Sequence, residues 1–254
     1  MITLSYNQFL LTSEPYNITS YDGYSQAKRE LKTVELARTD GSVLMSDRLT
    51  DKTITVTGQI KTDTPGDLLE AIKELKRRMY PSERTLSVLD EDGVTREWEA
   101  TPSAPIITRQ RGGATQAFYT IEFYCPKPYS TSASNELLND TITTQDATLG
   151  MTIPGSYPAA PVVTLTINSI TAGEQSITIK NPASVRGITI TGGFEAGDTL
   201  VIDMANLTVY LNTDKIDYEG VFTKWLPGAG SINYVDTASS RDVDIVVTAD
   251  ERDL

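Results

Sequence analysis

Carboxylates are the residues of this sequence most able to do chemistry. Asp198 and Asp203 bracket one apolar run, Asp242 and Asp244 flank Val243, and Asp90-Glu91-Asp92-Gly93 makes a short acidic stretch. A glycosidase needs two carboxylates about 5 Å apart, or about 6.5–9.5 Å apart, one of them with a raised pKa. In extended chain, Asp198 and Asp203 fall on opposite faces because their spacing is odd, whereas Asp242 and Asp244 share a face. Solvated strand faces and turns account for these acids more simply than hydrolysis does. The stretch at Asp90 is too short for an EF-hand loop, which spreads its oxygens over about twelve residues and ends on a Glu.

Other chemistry is thinner. The chain has no histidine, which removes the commonest general base, the usual partner of a Ser or Cys nucleophile and the commonest metal ligand. Its single cysteine, Cys125, allows neither an intrachain disulfide nor a Cys-based zinc site, and beside Pro126 it reads as a small structural residue. Gly192-Gly193 and Gly228-Ala229-Gly230 lack the Lys-Ser/Thr and the helix of a phosphate cradle and read as turns. Trp225, with Tyr210, Tyr218 and Phe222 nearby, could form a sugar-stacking platform, although filling a core is the simpler use of such aromatics. The expectation is a non-enzyme with no catalytic residue, cofactor or metal site.

Any such site would have to be held by elements that differ between the two halves. Of the 254 residues, 1–128 hold 16 Lys+Arg against 18 Asp+Glu, and 129–254 hold 6 against 16, which together make the net charge of −12. That asymmetry points to two domains and leaves no basic stripe for direct nucleic-acid binding. No apolar run approaches the roughly 18 residues of a membrane span, and the first residues do not form a secretory signal.

The first half reads as strands around one helix. Residues 52–61 alternate polar side chains with Ile54, Val56 and Ile60, a half-buried strand. Thr64 then offers a cap, Pro65 suits the first helical position, and Asp67 stands where a capping-box acid reaches back. Leu68, Leu69, Ile72, Leu75 and Met79 mark the apolar face of that helix, and Pro81 ends it. The basic residues near its end, Arg77 and Arg78, complement the helix dipole better than they make a phosphate site. Residues 85–90 and 94–100 form a hairpin about an Asp-Gly turn, and 116–124 make an aromatic-rich strand stopped by Pro126 and Pro128. A domain of residues 1–128 is expected.

Residues 129–160, rich in Ser, Thr and Asn, read as a connecting segment. Beyond them, short β-rich runs at 162–167, 176–180, 187–191, 199–203, 207–211 and 242–247 have the spacing of an all-β sandwich or barrel over 161–254.

At this point the residues resemble a known family. Thr53-Ile54-Thr55-Val56-Thr57-Gly58-Gln59-Ile60, the capped Leu-rich helix, the Asp-Gly hairpin and the closing Glu122-Phe123-Tyr124-Cys125-Pro126-Lys127-Pro128-Tyr129 resemble the N-terminal belt domain of siphophage distal tail proteins. Gly197-Asp198-Thr199-Leu200-Val201-Ile202-Asp203, Leu207-Thr208-Val209-Tyr210-Leu211-Asn212 and 226–234 are similar to the galectin-like C-terminal domain of the same family.

The resemblance implies a mainly β protein with one main helix: a tail-tube-like β-sandwich belt domain followed by a galectin-like β-sandwich. It implies a structural hub of a long non-contractile tail, a six-membered ring in the virion that joins the tail tube to the adhesion device. The implied partners are further copies of the chain, the tail tube protein, a tail-associated lysin-type protein of the tail tip and a receptor-binding protein. A ring must join surfaces that a solitary monomer would blunt, and Leu44, Met45, Arg48 and Leu49, just before the central strand, are candidates for an inter-subunit loop or for an ordinary surface hairpin. The alternatives are a carbohydrate-binding adhesion module, with Trp225 on the saccharide, a tail-tube subunit that polymerises into long helical tubes, and a residual hydrolase.

Overall fold

The computed structural model of the protein describes residues 2–35, 40–109, 114–171, 173–183 and 186–254. The chain divides into two compact units, one of Met1–Ser132 with Leu254 and one of Ala133–Asp253.

In the first unit, β1 (Thr3–Tyr6) turns tightly into β2 (Phe9–Leu10) through Asn7 and Gln8, both in the left-handed region. There follow β3 (Tyr16–Tyr21), the two-stranded ribbon of β4 (Arg29–Glu35) and β5 (Ser42–Leu49), and β6 (Lys52–Lys61). The polar/apolar alternation of β6 places Ile54, Val56 and Ile60 on the buried face, as the period-2 pattern requires. Helix α1 (Pro65–Arg78) opens with the expected cap: Thr64 is extended, Asp67 N donates to Thr64 Oγ1 at 3.2 Å, and Thr64 Oγ1 donates to Asp67 Oδ2 at 2.7 Å. Leu68, Ala71 and Leu75 face the core, with Met79 buried just past the last turn. Leu69, expected on that stripe, is exposed because it sits about 100° around the helix from Leu68.

The rest of this unit is β7 (Arg84–Leu89), β8 (Thr95–Pro102), β9 (Ile106–Thr108), β10 (Gln116–Cys125) and the start of β11 (Ser130–Ile142). β6 pairs with β10 along its whole length and with β3 on its other side, while β8 pairs with β7 and β7 with β1. Leu4, Tyr6, Trp98, Ile121, Phe123 and Cys125 join the helix and the β6 residues in one core.

The second unit is built entirely from strands among the described residues. It holds the rest of β11, then β12 (Asp146–Ile153), β13 (Val162–Ile170), β14 (Glu174–Lys180), β15 (Gly187–Gly193), β16 (Thr199–Asp203) and β17 (Thr208–Leu211). The short β18 (Asp214–Lys215) and β19 (Glu219–Gly220) precede β20 (Gly228–Asp236) and β21 (Arg241–Asp253). Strands run in the order β18-β17-β16-β13-β21-β11 in one sheet and β12-β20-β14-β15-β19 in the other. Val163, Leu165, Leu200, Ile202 and Ile245 of the first meet Ile177, Ile179, Ile190, Ile232 and Tyr234 of the second in a shared core, which makes the unit a β-sandwich.

Two expectations are corrected here. Residues 129–160 are not an irregular connector: they contain the whole of β11 and of β12, and the division between the units falls inside β11. β11 hides from sequence reading because most of its residues are half-exposed or exposed on both faces, so no period-2 pattern forms. Gly192-Gly193 and Gly228-Ala229-Gly230, expected as turns, are strand residues at the ends of β15 and β20; Ala229 pairs with Thr152 and Gly230 with Met151.

Candidate interaction arm

The candidate site is the β4–β5 ribbon. Its strands pair only with each other, from Arg29 opposite Leu49 to Glu35 opposite Ser42, and none of its described residues is buried. The register slips between Lys32 and Thr33, which leaves Met45 as an extra residue, a bulge that twists the outer half of the ribbon. Near the base each face carries an ion pair. Arg29 lies 3.4 Å from Asp47, and Arg48 grips Glu30 through Nε at 2.7 Å and Nη2 at 2.6 Å. The Arg48 hydrogen bond and charge hold the Glu30 carboxyl below the ordinary range.

Around and beyond the bulge the ribbon turns apolar. Val34 and Val43 sit opposite each other, Leu31 and Leu44 stand along the strands, and Met45 is 65% exposed. A two-stranded ribbon is marginal in water by itself, and this one presents five large apolar side chains to solvent.

The structure places all four interface candidates here: Leu44 and Met45 exposed at the bulge, Arg48 in its ion pair, Leu49 half-buried at the base. It adds Leu31, Val34 and Val43. Leu31-Lys32-Thr33-Val34 spaces its apolar residues by three and so carries no period-2 signal that marks a strand before its partner is known.

Trp225 is elsewhere and does something else. It is 1% exposed, lies in the sandwich core, and exchanges both backbone hydrogen bonds with Ala159 at 2.9 Å. A fully buried indole offers no face to a sugar, so the saccharide alternative for Trp225 is withdrawn and the favoured reading, aromatic filling of the sandwich, describes it.

The carboxylates are occupied with local structure. Asp198 accepts from Glu195 N and Asn212 Nδ2, Asp203 from Ala205 N, Asn206 N and Asn206 Nδ2, so both cap turns. Asp242 and Asp244 share a strand face and both accept from Asn168, and Thr141 also donates to Asp244. Among the described residues no group of three or more Cys, Asp or Glu could hold a metal ion, and no helix is long and apolar enough to cross a membrane.

Comparison with known proteins starts from this geometry. Residues 154–249, within the sandwich, match the family model of the siphovirus-type tail component, C-terminal domain. The crystal structure of SPP1 Dit, described as a paradigm of the hub adsorption apparatus in phages that infect Gram-positive bacteria, aligns over 100% of both chains with a TM-score of 0.76 at 16% identity. Two structures of the phage p2 baseplate in its activated conformation, with Sr and with Ca, align over 97% of each chain at 8% identity with TM-scores of 0.45 and 0.44, too low to carry an argument. No curated protein sequence matches the chain.

Residues 154–249 are therefore similar to the C-terminal domain of siphovirus-type tail components. The chain as a whole shares the fold of SPP1 Dit.

Proposed function

We propose that this protein is the hub at the distal end of a long, non-contractile phage tail, a virion component that closes into a ring and joins the tail tube to the tail tip. The role is structural and non-enzymatic. The first unit supplies the ring contacts, and the second is left free to meet tail-tip proteins, among them a lysin-type protein or a receptor-binding protein.

The observation that carries the ring is the uncovered arm. A ring needs a heterologous contact, one surface of each copy seated on a different surface of the next. An apolar ribbon that its own chain leaves bare, in a protein with the SPP1 Dit fold, fits one half of such a contact.

Sedimentation velocity over a range of concentrations tests it. The wild-type chain is expected to form a discrete multi-copy species, and Met45→Asp, which places a charge at the bulge, to remain monomeric. A monomer at every concentration, or a variant that associates as the wild type does, contradicts the proposal.

A further inference from the structure

The arm is bare, but its root is held hard. Thr50 N and Oγ1 both donate to Lys28 O, at 2.8 and 3.1 Å, and Lys28 N donates to Asp51 O at 3.4 Å. Residues 22–28, the strap that leads into the arm, are fixed at three further points. Asp22 N donates to Thr55 O at 3.0 Å, the Tyr24 hydroxyl donates to Asp90 Oδ1 at 2.6 Å, and Ala27 is buried. The strap also passes close beneath an aromatic ring, since a side chain on Gly23 would meet Tyr21 Oη at 1.7 Å.

In the middle of this root lies Lys52, the first residue of β6. It is 2% exposed, its Nζ donates to Gly23 O at 2.7 Å, and the ammonium stands 5.6 Å from the centroid of the Trp98 ring. Its cross-strand partner is the buried thiol of Cys125. The Asp22 carboxylate and Cys125 are the titratable groups that act on it, and burial is the larger influence, disfavouring its charge. An ammonium in such a place is costly, and an apolar side chain of similar length would fill the space without that cost. What the apolar side chain would not do is hold the Gly23 carbonyl.

We infer that Lys52 is a positioning residue: its buried ammonium pins the strap at Gly23 and so sets the direction in which the β4–β5 arm leaves the unit. The inference rests on the ring reading for its purpose but not for its geometry. A cation clamped between a carbonyl and an aromatic face has few competing arrangements, so the strap is held at one height above β6. The arm, whose described strands pair only with each other, inherits that direction.

Spin labels on Ser42→Cys in the arm and Lys61→Cys at the far end of β6 measure this directly, because both positions are exposed and the native Cys125 is buried. The wild-type background is expected to give one narrow distance distribution in the monomer. Lys52→Met, close in volume but without a donor, is expected to at least double its width while the melting temperature holds or rises. Lys52→Arg, which keeps a cation and donors, is expected to restore the narrow distribution. A Lys52→Met distribution as narrow as the wild type overturns the inference, as does a Lys52→Arg distribution as broad as that of Lys52→Met.

Should Lys52→Met not fold, hydrogen exchange on the wild-type chain decides. Protection of the Asp22, Lys28 and Thr50 amides at the level of β6 supports the pin, and exchange as fast as in the outer half of the arm overturns it. A wild-type chain that never self-associates removes the ring and leaves these monomer measurements standing.

Discussion

The hydroxyl end of Tyr119 fills the space that a side chain on its cross-strand partner Gly58 would need: a Cβ there would lie 2.2 Å from Tyr119 Cζ and 2.5 Å from the Asn17 carbonyl oxygen. The glycine is thus required by close approach, between β10 on one side and β3 on the other. Gly58→Ala is expected to destabilise the first unit by about 1–3 kcal/mol through overpacking. Tyr119→Phe should be neutral or stabilising, because the buried hydroxyl has no hydrogen-bond partner among the described residues. Denaturant unfolding of both variants checks the pair; a Gly58→Ala chain as stable as wild type would show that the sheet can yield.

The sandwich holds a buried ion pair. Arg241 meets Asp236 through Nε at 2.8 Å and Nη2 at 2.9 Å with side chains 7% and 0% exposed, and Asp236 also accepts from Tyr234 Oη and Ala238 N. Arg241→Ala leaves that carboxylate buried without its cation and is expected to cost about 3–5 kcal/mol. Adding Asp236→Asn should recover part of the loss. No recovery in the double variant would mean that packing rather than charge dominates.

Trp225→Ala removes the largest fully buried side chain of the chain and is expected to cost about 3–5 kcal/mol. Stability retained with loss of saccharide binding would restore the sugar reading that the structure removes.

Stability should fall on the alkaline side. Burial pushes the Cys125 thiol and the Tyr16 phenol each up to about 12, and raises Tyr21, Tyr119 and Tyr234 further. The folded chain keeps these protons while the unfolded chain releases them from about pH 8.5 for a thiol and about pH 10 for a phenol, so unfolding gains as pH rises through that window. Lys52, lowered by burial, acts in the opposite sense but is a single group. Denaturation midpoints that decline from about pH 9 to pH 12 are expected, with Cys125 unreactive toward thiol reagents until the chain unfolds. A flat profile contradicts it.

Much of the first unit was legible because local and global signals agree there. The span of β6, the Thr64 cap and the β7–β8 hairpin each follow from a few residues. β11 was not legible, since its Ser, Thr and Asn residues are exposed on both faces and a strand of that kind is specified by its neighbours. The arm was half legible. Leu44 and Met45 stood out as exposed apolar residues, but the pairing that adds Leu31 and Val34 is a contact between strands. In the sequence Lys52 is one more polar residue of an alternating strand, and nothing in its neighbours announces that a lysine at that register is buried.

The ring is the proposed assembly of this chain. Negative-stain electron microscopy of the purified wild-type chain, alone and mixed with the tail tube protein of the same tail, tests it most directly. Closed, six-membered rings of one diameter are expected, seated on the tube ends in the mixture. Particles that stay strictly monomeric in both preparations, or long open tubes built from this chain alone, would contradict it.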